Sequence, residues 1–110
     1  MSLQYIKDGV AIDRFSIQLL NALLQAAQVY QVHGVPFVIT ALSDGVHKDN
    51  SLHYRGYAAD LRTRDARPQD IPTIVRDLRR TLGITFDVVE EGDHIHVEYD
   101  PQHDGGKLLP

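Results

Sequence analysis

Two short stretches hold the residues of this chain that could do chemistry. In Ser51-Leu52-His53-Tyr54-Arg55-Gly56-Tyr57-Ala58-Ala59-Asp60 a histidine and an aspartate stand seven residues apart. In Asp93-His94-Ile95-His96-Val97-Glu98 an aspartate precedes a histidine by three on a run that reads as a strand. A catalytic zinc takes three protein ligands from His, Asp, Glu or Cys and keeps one position for water. A carboxylate nearby that is not a ligand can take a proton from that water. His53, Asp60 and His96 can supply the ligands and Asp93 the base, which is the outfit of a hydrolase.

The pattern Ser-x-His-x-x-Gly-x-Ala-x-Asp, followed by Asp-x-x-His inside His-Ile-His-Val-Glu, resembles the zinc D-alanyl-D-alanine metallopeptidases. That family includes bacterial D,D-carboxypeptidases and dipeptidases and phage L-alanyl-D-glutamate endolysins, and it shares a fold with the hedgehog signalling domain. The resemblance runs from about Phe37 to Asp100. It implies a single zinc ion on His53, Asp60 and His96, with Asp93 as general base and Ser51 binding a substrate carboxylate. A turn-forming serine is the alternative reading of Ser51. One departure stands out. Many members carry an arginine on the strand or loop before the Ser-x-His motif, and Ile39 to Gly45 has none. Arg55 and Arg62 flank the expected ligands and are the candidate anchors for an anionic substrate.

Strand parity constrains the second stretch. On a regular strand His94, His96 and Glu98 share one face, and Asp93, Ile95 and Val97 the other. Asp93 and His96 converge on one metal only if Asp93 still lies in the turn, which Gly92 permits. The rival set is His94, His96 and Glu98 on one sheet face, as in a cupin-like barrel, for which the chain is short. Glu98 either holds the second ring nitrogen of His96 or is simply exposed. His94 either bonds an oxyanion or substrate, or covers the sheet. His47 either lines the cleft or decorates a loop. Glu90 and Glu91 read as solvated acids, and His33 as a histidine favoured by the C-terminal end of a helix dipole.

The elements that must position these groups follow from the apolar spacing. Lys7-Asp8-Gly9 marks a turn between short extended pieces. A helix capped by Asp13 or Ser16 runs to about His33, with Ile17, Leu20, Leu24, Ala27 and either Val29 or Tyr30 on its apolar face, and Gly34 stops it. Pro36 to Thr40 reads as an inner strand, Ser43 to Asn50 as irregular, and Tyr57 to Leu61 as a strand with Asp60 at its end. Pro68 and Asp70 open a second helix, about Gln69 to Leu82, with Ile71, Ile74, Val75, Leu78 and Leu82 inward and Gly83 as terminator. Strands Phe86 to Val89 and His94 to Tyr99 flank a Glu91-Gly92-Asp93 hairpin. The order predicts an α+β domain, with a small antiparallel sheet and two main helices. The resemblance makes that fold hedgehog-like.

Composition narrows the functional classes. A chain of 110 residues is expected to form one domain, 1–110, with a loosely packed tail over 101–110. Such a chain buries roughly two thirds of its unfolded surface, so a metal tying residues 53 to 96 together would help it. With no cysteine, a zinc site must use imidazole and carboxylate. The net charge of -4 argues against nucleic acid. Arg76, Arg79 and Arg80 read as a solvated helix face. No apolar run reaches a membrane span, and the first residues do not read as a signal peptide. The expectation is a monomer made in the cytoplasm that cleaves peptidoglycan stem peptides after release or from a virion. The alternative is a zinc-stabilised binding module of the hedgehog-like fold that has lost catalysis.

Overall fold

The computed structural model describes residues 4–7, 17–43 and 58–100. Helix α1 (Ile17–Val32) leads into strand β2 (Phe37–Ser43), then β3 (Ala58–Arg62), a 3-10 turn (Pro68–Asp70), α2 (Ile71–Leu82) and the hairpin β4 (Phe86–Glu90) and β5 (His94–Tyr99). A short strand β1 (Gln4–Ile6) precedes α1. The fold is α+β, with β2 to β5 antiparallel in the order β2-β3-β5-β4. At one edge β1 lies parallel to β2, pairing Tyr5 with Val38. A parallel partner this short leaves no distinctive pattern in the sequence; the small antiparallel sheet expected is formed by β2 to β5.

Both helices pack on one face of the sheet. Leu19, Leu23 and Tyr30 of α1 and Ile74 and Leu78 of α2 close over Leu61, Ile95, Val97 and Val88. Full burial of side chains such as Ile74 and Leu78 contributes about 1.5–3 kcal/mol each. The Tyr30 hydroxyl donates to the Arg62 carbonyl at 3.0 Å, so α1 is fastened to the end of β3. Tyr30 also meets Phe37 edge-to-face, with centroids 5.2 Å apart.

The inward face of α1 differs from the expected one. Ala27, Val29 and Tyr30 are buried, but Ile17, Leu20 and Leu24 are 73%, 46% and 54% exposed. Two apolar stripes of helical period coexist on this segment. The buried stripe is Leu19, Ala22, Leu23, Ala26, Ala27 and Tyr30. Its alanines let the backbone come close to the sheet while the large residues fill the gaps.

Helix α2 follows its sequence pattern: Ile74, Val75, Leu78 and Leu82 are buried, and Ile71 packs against the same core. Pro68 and Asp70 form a 3-10 turn that leads into α2, with Arg67 on the Asp70 carboxylate at 2.9 Å and no side-chain cap. His33 sits just past α1 and does more than meet a dipole. Its Nε2 lies 2.8 Å from an Asp77 carboxylate oxygen, joining the two helices. The expected capping residues Asp13 and Ser16, the Asp8-Gly9 turn, the irregular stretch beyond Ser43 and the tail 101–110 lie outside the described residues.

Candidate metal centre

Strands β3 and β5 are neighbours, and their register puts Asp60 directly opposite His96 and Arg62 opposite His94. Opposite residues in an antiparallel pair point to the same face. Leu61, Ile95 and Val97 fill the helix-covered face, so Asp60, Arg62, His94, His96 and Glu98 share the other. Alternation alone sorts the polar from the apolar residues here. Asp60 sits in the middle of β3, not at its end as expected. The strand runs on to Arg62 because its backbone still pairs with His94.

His96 is held from both sides. Its Nδ1 lies 2.8 Å from Asp60 Oδ1, and its Nε2 lies 2.9 Å from Glu98 Oε1. Hydrogen bonding to Asp60 pushes the imidazole up to about 9; partial burial opposes the shift and Glu98 reinforces it. Of the two readings left open for Glu98, contact with His96 is the one realised.

His94 occupies a second carboxylate nest. Its Nδ1 lies 2.7 Å from Asp93 Oδ1 and its Nε2 3.1 Å from Glu91 Oε1. The second Asp60 oxygen stands 3.6 Å from the same Nε2. Hydrogen bonding to Asp93 raises the proton affinity of His94, with partial desolvation opposing and Asp60 and Glu91 reinforcing it, and the adjoining His94, followed by a backbone hydrogen bond, holds the Asp93 carboxyl below the usual carboxylate range. Gly92 adopts φ 84° in the hairpin, a conformation that L side chains rarely take, and Asp93 precedes the first paired residue of β5. That placement releases Asp93 from strand parity, and its carboxylate reaches His94 on the polar face. Glu91, expected to be merely solvated, is drawn to the rim of this nest.

Donors held at about 2.0–2.1 Å around a tetrahedral zinc stand roughly 3.3 Å apart. The 2.8 Å between His96 Nδ1 and Asp60 Oδ1 would open by about half an ångström to admit an ion. Glu98 on the far nitrogen matches the usual carboxylate support of a ligand histidine. These two residues therefore fit a zinc as a pair. Among the described residues no three metal-capable side chains are arranged so that they could hold an ion together. His53, the expected third ligand, lies outside them, as do Ser51, Arg55 and His47.

The rival set fares differently. His94, His96 and Glu98 do share a face, but His94 is taken up by Asp93 and Glu91, and the three do not converge on one point. Arg62 stands beside His94 in register, with its guanidinium on Asp65 at 3.0 and 2.7 Å. Of the arginines read as a solvated face, Arg79 instead reaches the β4 backbone. No described helix is long and apolar enough to cross a membrane. No family model, curated protein or solved structure matches the chain.

Proposed function

We propose that this chain is a zinc-dependent peptidase of the hedgehog-like D-alanyl-D-alanine metallopeptidase type, hydrolysing peptidoglycan stem peptides. The observation that carries the reading is the Asp60–His96 pair. An aspartate and a histidine 36 positions apart meet at 2.8 Å on the polar face, with Glu98 behind the histidine. A zinc ion bound there with His53 would supply Lewis acidity and bring the pKa of a water from 15.7 to about 7.

The protein's own groups do the rest. Asp60 and His96 would hold the ion, and Glu98 fixes the ring of His96 with Nδ1 toward Asp60. Asp93, kept ionised by its bond to His94, accepts the proton as water attacks the scissile carbonyl and returns it to the leaving amine. His94 orients that carboxylate and stands close enough to the centre to face the developing oxyanion. A substrate carboxylate would draw Arg62 from Asp65 or use Arg55 and Ser51. The wall is reached after release from the cell or from a virion, and the working unit is a monomer.

The test is to incubate the zinc-loaded protein with synthetic stem peptides containing both an L-Ala-D-Glu and a D-Ala-D-Ala bond, and to identify products by mass spectrometry. Cleavage at one of these bonds, lost on chelation and restored by zinc, is the expected result. Zinc retained with every stem peptide intact would overturn the peptidase reading in favour of a zinc-stabilised binding module.

A further inference from the structure

Strand β4 forms one edge of the sheet, and its outward side can be read from its hydrogen bonds. Asp100 N–H donates to Thr85 C=O and Glu91 N–H to His94 C=O, which fixes these as the hydrogen-bonded positions of the hairpin. Alternation then turns the backbone groups of Phe86, Val88 and Glu90 away from β5, toward the edge that pairs with no other strand among the described residues. Two of these groups are occupied. Phe86 N–H donates to Gly83 C=O at 3.2 Å, and the Val88 carbonyl accepts both Nε and a terminal nitrogen of Arg79, at 3.0 and 2.8 Å.

We infer that Arg79 is a latch that keeps the β4 edge from pairing with the same edge of a second copy of this chain. The edge is self-complementary about Val88. An antiparallel partner related by a two-fold axis there would exchange N–H and C=O between the Val88 residues, and Glu90 N–H would meet Phe86 C=O on either side. In that register Asp87 lies opposite Val89 of the other copy and Glu90 opposite Phe86, so no like charges face each other. Val89 and Ile84 are 41% and 57% exposed beside this edge, and a groove of about 490 Å³ runs along it. The guanidinium fork occupies the central acceptor of the ladder, and its charge makes approach of a second edge costly. Arg79 also lies in the last turn of α2, where a cation favours the helix dipole. That role alone would affect melting, not association.

The test is the mass of the full chain by size-exclusion chromatography with light scattering, over a wide concentration range. Wild type is expected to remain at the monomer mass. Arg79→Met, which keeps length and removes the donors, should move toward twice that mass as concentration rises, and Arg79→Lys should shift less. Adding Glu90→Pro to Arg79→Met deletes the flanking N–H donors and should return the protein to monomer. A dimeric wild type, a monomeric Arg79→Met with a native circular dichroism spectrum, or a dimer indifferent to Glu90→Pro would overturn the latch. Should Arg79→Met not fold, an Arg79→Ala variant with a native circular dichroism spectrum that stays monomeric at every concentration would overturn it equally. The edge lies on the side of β4 away from β5, so these results read independently of the metal centre.

Discussion

His96 and Asp60 lie opposite each other on β5 and β3, with Nδ1 2.8 Å from the carboxylate and Glu98 on the other ring nitrogen. The arrangement is a charged hydrogen-bonded row, and on the proposed zinc-dependent reading Asp60 and His96 would be two members of the ligand set. What would separate the two states is a proton.

Zinc uptake should therefore release that proton. The His96 imidazole, pushed up to about 9 chiefly by Asp60, is cationic at pH 7 in the metal-free protein, and only the neutral ring can bind metal. Affinity should rise with pH up to about 9. The same shift stabilises the metal-free fold fully below the ordinary histidine value of 6.5, a contribution lost as pH climbs through about 9. Calorimetric zinc titrations in buffers of different ionisation enthalpy should show about one proton released per ion at pH 7. Proton-neutral binding would contradict the assignment of His96.

Glu98→Gln removes the carboxylate that steadies His96 without emptying the space it fills. Zinc affinity should fall about 10- to 100-fold, in line with the loss of such outer partners. Competition with a chromophoric chelator reads this directly. Unchanged affinity would mean that Glu98 serves only the sheet.

Asp93→Asn should keep zinc and fold yet lose hydrolysis by about 10²- to 10⁴-fold, the range that positioned acid–base groups contribute. Glu91→Gln and Glu90→Gln are the comparison variants, and Glu91 is the sharper one because it shares His94 with Asp93. Near-normal turnover in Asp93→Asn, with Glu91→Gln inactive, would transfer the role of base to Glu91.

Remote from the site, the bond between His33 and Asp77 ties α1 to α2. The His33 bond, then Arg76 opposed by slight desolvation, holds the Asp77 carboxyl below its ordinary value of 3.8. The contribution is present above that value and is lost as pH falls through the lower folded one. Asp77→Asn should melt below wild type at pH 7, and the gap should close in strong acid. A constant gap in melting temperature across that range would show that the side chain acts through packing instead.

The sequence pattern located the polar face of β5, because His94, His96 and Glu98 alternate with Ile95 and Val97. It also located the α2 stripe and the two turns at Gly83 and Gly92. Helix α1 misled, since Ile17, Leu20 and Leu24 form as regular a stripe as Leu19, Leu23 and Tyr30. Periodicity cannot choose between two apolar faces; the small alanines beside Leu19 and Leu23 were the available signal. Glu91 reads from the sequence as a solvated acid because it adjoins a turn, although three residues from His94 across a tight hairpin is within reach of a carboxylate. The Arg79 bond to Val88 depends on how α2 lies against β4, a tertiary relation with no local pattern.

The most direct measurement is zinc content per chain by elemental analysis for wild type, His53→Ala, Asp60→Ala, His96→Ala and His33→Ala. About one zinc per wild-type chain is expected, with a sharp fall in the first three variants and full occupancy in His33→Ala, whose histidine serves the helices. Wild-type protein that takes up no zinc, or ligand variants that remain fully loaded, would contradict the metal centre on which the proposed peptidase activity rests.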